Sequence, residues 1–399
     1  MNLQYRNTII TALFLLTLTS CTVNSSKSSV YLNTGLPEAQ PPSFTVPQGK
    51  QLLIVGQDSD TISAYQTAIP QDTLEGITLY SQLKAPSPSQ TLSGILRVGN
   101  WGSGDVDFDL SLRAAPDAAL AIGLAFDQCD GSDHTGAIAR GDYDESLTTL
   151  IDYLRSVAPR PVFLRIGYEF DGPWNCYPPE EYKAAFRYIV KAIRVEGLTN
   201  VVSVWHSANW LAPSIAGEKA DLYDHSKEGF FERWYPGDDV VDWFGISVFY
   251  RDDHQWSIPQ EYTPKFAQGQ SLEYARLHGK PVIIAEAAPQ AYRTGALAKG
   301  FITENRQTEV TAEAIWQNWY QPVFDFMNEN KDVVKALAYI NTHWEVQPMW
   351  RCDEGKRAGD PTCPQGFWGD SRVQANDYIL EQWLKETQNE ERWVQGKWW

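Results

Sequence analysis

The sequence predicts one α/β domain, a (β/α)8 TIM barrel over residues 49–399, and three observations predict it. Eight short apolar runs of the kind that fill strands buried on both faces recur along the chain, over about 300 residues, the usual size of such a barrel. Amphipathic helical stretches fall between them, which indicates parallel βα units. Polar and aromatic residues collect where several runs end, as they do at the C-terminal mouth of a barrel. A doubly wound sheet is the other way to arrange such units. No glycine-rich phosphate fingerprint follows the first run, which removes the main reason to prefer it.

The candidate strands, in order, are LLIVG (52–56), GITLYS (76–81), AALAIGLAF (118–126) and PVFLRIGYE (161–169), then VVSVWHS (201–207), VDWFGISVFY (241–250), PVIIAEA (281–287) and ALAYINTHW (336–344). Helix patterns cover 143–157, 179–197, 270–279 and 316–329. The first has Leu147, Leu150, Ile151 and Leu154 on one face, and the second opens on Pro179 with acids in its first turn and stops at Gly197. Residues 94–117 fit neither element and read as a long loop or hairpin near the mouth. The tail after 345 is expected to pack against the barrel.

Ahead of the domain, Arg6 precedes the apolar run IITALFLLTLT (9–19), too short to span a membrane stably. The stretch LTSC (18–21) resembles a bacterial lipobox. Residues 1–20 are therefore expected to be an export signal, Cys21 a lipidation site, and 21–48 a polar tether. The expected location is an outer membrane or cell surface. The remaining Cys129, Cys176, Cys352 and Cys363 suit two disulfides in an oxidising compartment. Cys352–Cys363 is the local pairing and leaves Cys129–Cys176. Zinc is disfavoured because no CxxC pair occurs, and no metal or cofactor is expected. A formal charge of −17, spread along the chain, shows no basic patch for nucleic acid. The 16 Trp residues suggest flat surfaces for sugar faces. A monomer acting on a polysaccharide or oligosaccharide is expected.

The strand ends carry the chemistry. The fourth offers Arg165, Tyr168 and Glu169, the fifth Trp205 and His206, the sixth Tyr250, the seventh Glu286, the eighth His343 and Trp344. Glu169 and Glu286 each close an otherwise apolar strand. Cleaving a glycosidic bond needs one carboxylic acid to protonate the leaving oxygen and a second carboxylate across the ring. Strands four and seven face each other across a barrel mouth, so the pair can flank a sugar.

These residues resemble clan A of the retaining glycoside hydrolases, and within it glycoside hydrolase family 26, the β-mannanase and β-1,3-xylanase family. The resemblance rests on LRIGYEFDGPWN…PPEEY (164–182), NVVSVWHSAN, WYPGDDVVDWFGISVFY and KPVIIAEAAP, in that order, and spans roughly residues 50–345. It implies that Glu169 is the general acid/base and Glu286 the nucleophile of a retaining double displacement. Phe170 and Trp174 would then wall the acid, and Tyr250 and Arg165 would steady the nucleophile.

In clan A the residue before the acid is usually Asn, and in the mannanases it is His. Here it is Tyr168, which puts mannan specificity in question and leaves xylan, glucan or an algal galactan open. His206 either takes over a polar sugar contact or is a core histidine. Trp174, Trp210 and Trp344 are candidate stacking surfaces, while Trp205 is open between site and core. Asp127 and Asp171 are candidate hydroxyl ligands. The competing reading is a non-catalytic carbohydrate-binding surface lipoprotein on a hydrolase barrel.

Overall fold

The computed structural model describes residues 44–70, 74–210, 220–249 and 263–399. Eight parallel strands close into a barrel: β1 (Leu52–Val55), β2 (Gly76–Gln82), β3 (Ala119–Ala125), β4 (Val162–Ile166), β5 (Val201–Ser207), β6 (Trp243–Val248), β7 (Val282–Ala287) and β8 (Val334–Tyr339). β8 pairs with β1 through Leu52↔Ala336 to Val55↔Tyr339, which completes the circle. All eight expected strands are present. β4 stops three residues short of Glu169, and β8 stops before His343 and Trp344.

Strand alternation sorts the side chains. Leu52, Ile54, Ala121, Phe163, Val204, Trp243, Ile283 and Ala338 fill the barrel interior. Their neighbours, among them Leu53, Val55, Ile77, Leu79, Leu164 and Ile246, face the helices. Both faces are therefore apolar, as a parallel barrel requires. Alanines on β3, β7 and β8 make room for Phe163 and Trp243, whose rings meet edge to face at 5.1 Å.

Ten α-helices surround the barrel among the described residues: α1 (Ser59–Ala68), α2 (Phe108–Ala114), α3 (His134–Arg140), α4 (Asp144–Ser156), α5 (Pro179–Val195), α6 (Phe230–Trp234), α7 (Pro264–Leu277), α8 (Ala312–Ile315), α9 (Gln321–Glu329) and α10 (Asp377–Thr387). α5 begins on Pro179 with Glu180 and Glu181 in its first turn, which suits the positive end of the helix dipole. α8 and α9 are joined by a π-helical turn, Trp316–Tyr320. The tail supplies the last helix: Trp383 of α10 is buried and donates its Nε1 proton to the Tyr65 hydroxyl of α1 at 2.9 Å.

The floor of the barrel is plugged by both ends of the domain. Phe44, Val46, Val394 and Trp398 join the interior cluster, and Phe44 meets Phe163 edge to face at 5.3 Å. The packed domain thus takes in residues assigned above to the tether. Segment 94–117 is a short hairpin, Gly99–Asn100 with Asp105–Val106, followed by α2. The hairpin matches expectation and the helix does not. A four-stranded sheet built from Tyr292–Arg293, Ala298–Phe301, Glu304–Glu309 and Gly369–Asp370 is an addition that the apolar pattern did not announce. Both expected disulfides form, with Cα separations of 5.0 Å for Cys129–Cys176 and 3.8 Å for Cys352–Cys363.

Candidate active site

The mouth of the barrel is built from the inward positions just above the apolar layer. Phe163 points inward, so Arg165 does too. Val204 places His206, Trp243 places Ser247, and on β2 the outward pair Ile77 and Leu79 leaves Thr78 and Tyr80 inside. Glu286 breaks this parity. Ile283 and Ala285 already point inward, so a regular β7 would turn Glu286 outward. The register with β6 slips between Ile246↔Ile284 and Ser247↔Glu286, and this bulge redirects the carboxylate into the mouth.

Glu286 is held from below. Arg165, fully buried, donates from Nη1 to Glu286 Oε1 at 2.7 Å and to the Ala285 carbonyl at 3.3 Å, while its Nη2 donates to Thr78 Oγ1 at 3.1 Å. Tyr80 donates its hydroxyl proton to the same Oε1 at 2.8 Å. Burial and the negative charge of Glu286 push the Tyr80 phenol well above its usual range, so it stays a donor. Gly123 on β3 allows this packing. A Cβ there would stand 2.5 Å from the Tyr80 ring and 2.9 Å from Arg165 Nη2. Among the described residues both donors converge on Oε1, which leaves Oε2 as the oxygen with freedom to react.

Glu169 is held from the other side. It follows β4 on a tight turn with φ +54°, a left-handed conformation that costs a non-glycine residue about 1 kcal/mol or more. The turn is tied at several points. Phe170 N–H donates to the His206 carbonyl at 3.0 Å, and Asn175 Nδ2 donates to the carbonyls of Tyr168 and Glu169 at 3.1 and 2.8 Å. Glu169 Oε1 accepts from Ser247 Oγ at 2.8 Å, and Oε2 accepts from Trp174 Nε1 at 3.1 Å. Ser247 is the register partner of Glu286, so one residue ties the two carboxyl groups into one site. Burial, then the charge of Glu286, holds the Glu169 carboxyl well above the ordinary carboxylate range, against the opposing bonds from Ser247 and Trp174.

The remaining predicted site residues divide into two groups. Tyr168 lies beside the pair, edge to face with Tyr80 at 5.4 Å and stacked on His206 at 6.3 Å, with the Arg165 guanidinium 5.4 Å from its ring centre. Trp174 is 44% exposed and meets the half-buried Trp210 edge to face at 6.1 Å, forming a wall next to Glu169. Asp127 sits at the rim in an ion pair with Lys84 at 2.9 Å, a partner the sequence reading missed. Tyr250 and Cys21 lie outside the described residues.

The second group is drawn into the structure and away from a ligand. Asp171 is 1% exposed, and its oxygens accept from Ser207 Oγ (2.6 Å), the Ala208 N–H (2.6 Å) and His225 Nε2 (2.7 Å). It staples the β4 and β5 loops together and is not a free hydroxyl ligand. Asp171→Ala strands three buried donors, so urea unfolding should show a loss of about 3 kcal/mol; an unchanged midpoint would remove the staple role. Trp344 is 1% exposed beneath Trp350 and Trp368, with its Nε1 donating to Ser371 Oγ at 3.1 Å, so it is not a stacking surface. Trp350 is the half-buried ring above it. Phe170 does not wall the acid. It stacks on Trp205 at 4.3 Å on the outer, helix-facing side. His206 is a buried histidine whose Nε2 lies 3.0 Å from Ser247 Oγ. Burial, aided by the Arg165 charge, pulls its pKa well below the ordinary histidine range, so it is neutral.

An eight-stranded parallel barrel that gathers two glutamates at the ends of its fourth and seventh strands has the build of a glycoside hydrolase. The comparisons agree. The chain is 33% identical over 351 residues to a β-1,3-xylanase of an Alcaligenes species, covering 86% of this chain and 65% of that protein. It is 33% identical over 356 residues to a β-1,3-xylanase of a Vibrio species, covering 88% and 67%. A family 26 β-mannanase from Bacteroides ovatus superposes with a TM-score of 0.53 over 88% of this chain and 91% of that one, at 13% identity, a likeness of fold. No family model matches the chain. The chain belongs to the family of these β-1,3-xylanases. It spans about two thirds of the length of these two relatives.

Proposed function

We propose that the protein is a retaining endo-β-glycanase, with Glu169 as general acid/base and Glu286 as nucleophile. The observation that carries the reading is the asymmetry of the pair. Arg165 and Tyr80 hold Glu286 through one oxygen, while Glu169 is buried beside it and biased to keep its proton. Glu169 would protonate the departing glycosidic oxygen as Glu286 Oε2 attacks the anomeric carbon from the opposite face. A water deprotonated by Glu169 would then displace Glu286 and restore the original configuration. Among the described residues, Trp174, Trp210 and Trp350 offer aromatic faces to sugar rings.

Both relatives are named β-1,3-xylanases, and Tyr168 stands where the resemblance to the mannanases implies a histidine. We therefore put β-1,3-xylan first among xylan, mannan, glucan and algal galactan. A panel of these polysaccharides assayed for new reducing ends should show β-1,3-xylan turned over fastest, with products released first as the β-anomer by proton NMR. Release of α-anomer would overturn the retaining mechanism, and preference for another glycan would reassign the substrate. We also propose a lipid anchor on Cys21. Incorporation of labelled palmitate that Cys21→Ser abolishes would support it, and unlabelled wild type would refute it.

A further inference from the structure

We propose that Ser247 and His206 form a positioning pair that decides which oxygen of Glu169 carries the acid proton, placing it on Oε2, the oxygen on the cleft side. The inference rests on the acid/base reading of Glu169. Glu169 has two distinct flanks. Oε1 faces Ser247 in the barrel wall, which is almost fully buried, and Oε2 faces the exposed Trp174. A proton useful to a departing oxygen must sit on Oε2. A carboxylic acid with nothing to distinguish its oxygens would hold the proton on Oε1 about half the time, pointed into the wall.

The chain His206–Ser247–Glu169 removes that ambiguity by the direction of its hydrogen bonds. A hydroxyl has one proton to give. If Ser247 gives it to Glu169 Oε1, the serine oxygen must accept from His206, and His206 must carry its proton on Nε2. If Glu169 Oε1 carries the acid proton, Ser247 gives its own to Nε2, and the histidine proton moves to Nδ1. Nδ1 is buried with no hydrogen-bond partner among the described residues. A bare nitrogen there wastes one weak acceptor, whereas an N–H there strands a buried donor, and stranded donors are the rarer and costlier case. The neutral ring cannot carry both protons, because it is buried and Arg165 lies nearby. The Nε2–H tautomer therefore wins, Ser247 points at Oε1, and the acid proton is left to Oε2. The protonated oxygen keeps a lone pair for the Trp174 N–H. Trp174 alone does not impose this order, since it is a half-exposed ring on a loop.

Among the described residues, the other charged and titratable groups near Glu169 are Glu286 on β7, Arg165 on β4, Tyr80 on β2, Tyr168 and Asp171 on its own loop, and Tyr177 beyond it. Of these, Glu286 and then Asp171 add to burial in holding the Glu169 carboxyl high. They do not distinguish its two oxygens, as Ser247 does.

The histidine nitrogen shifts of the 15N-labelled protein give a test that needs no substrate. His206, identified by its loss in His206→Gln, should read as the Nε2–H tautomer from pH 5 to 8. An Nδ1–H tautomer, or a ring that protonates in this range, overturns the proposal. Kinetics give the second readout. Ser247 favours the ionised carboxyl, so Ser247→Ala should move the alkaline limb of kcat/KM up by about one pH unit. It should also lower turnover of polysaccharide about tenfold. Formation of the glycosyl-enzyme from a dinitrophenyl glycoside, read as the burst of dinitrophenol, needs no proton on the leaving group, and its rate should change about twofold or less. Ser247→Thr and His206→Gln, which keep the donors, should restore the wild-type limb, and His206→Met should not. A limb that stays put in both Ser247→Ala and His206→Met overturns the pairing. If Glu169→Ala leaves hydrolysis unchanged, the acid/base reading fails, and the tautomer measurement still decides whether the pair is ordered as described.

Discussion

Glu286→Gln is expected to lower hydrolysis of every susceptible glycan by ~10⁴-fold or more, the order that loss of a covalent nucleophile costs. The amide keeps an oxygen for Arg165 and Tyr80, so the fold should survive with a small shift in thermal midpoint. Glu286→Ala should behave differently. It leaves the Arg165 guanidinium buried and unpaired, and breaking a buried pair from one side costs about 3–5 kcal/mol. The same vacancy beside a fixed positive charge is a place for a small anion. Added azide should restore turnover of an activated aryl glycoside by Glu286→Ala and release a glycosyl azide of inverted configuration. Hydrolysis by Glu286→Gln at the wild-type rate would remove Glu286 from the role of nucleophile. Loss of activity without rescue or inverted product would be accounted for by disorder around Arg165, which is why both variants are needed.

The barrel was legible because burial on both faces leaves an unbroken apolar run, and eight such runs stand out in any reading. What the runs conceal is direction. Tyr80 was within reach: in GITLYS the outward Ile77 and Leu79 imply that Thr78 and Tyr80 point inward, and counting parity on β2 would have found the second donor to Glu286. Glu286 itself shows the limit of parity, since only the bulge turns it inward, and a one-residue slip leaves no mark in PVIIAEA. Lys84 and Ser247 are ordinary residues whose roles depend on which loop or strand lies opposite. Trp344 and Asp171 were misjudged for a shared reason. Each stands near the mouth in sequence, yet Trp350 and Trp368 cover the first, and Ser207, Ala208 and His225 saturate the second. The added sheet escaped notice because AKGFITENRQTE has few apolar residues to alternate, as short surface strands often do.

Glu169→Ala is expected to separate the two chemical steps, because the two steps need Glu169 in opposite protonation states. On polysaccharide the leaving oxygen is a poor one, and losing its acid should cost ~10³-fold in kcat/KM. On a dinitrophenyl glycoside the first step needs no acid, so the glycosyl-enzyme should form at close to the wild-type rate and then persist. The result is a burst of dinitrophenol followed by slow turnover. Azide, which needs no general base, should relieve the slow step and yield a glycosyl azide of retained configuration, the opposite outcome to that of Glu286→Ala. The pH profile gives an independent reading. A carboxyl held high by burial and by Glu286 supplies the acid at pH values where an ordinary glutamate is ionised, and supplies less as pH rises through its folded pKa. The alkaline limb of wild-type kcat/KM should therefore belong to Glu169 and disappear in Glu169→Ala. An alkaline limb that persists unchanged, with no burst and no retained azide product, would move the acid/base role to another residue of the mouth. The opposite configurations of the two azide products are what a merely damaged barrel would not reproduce.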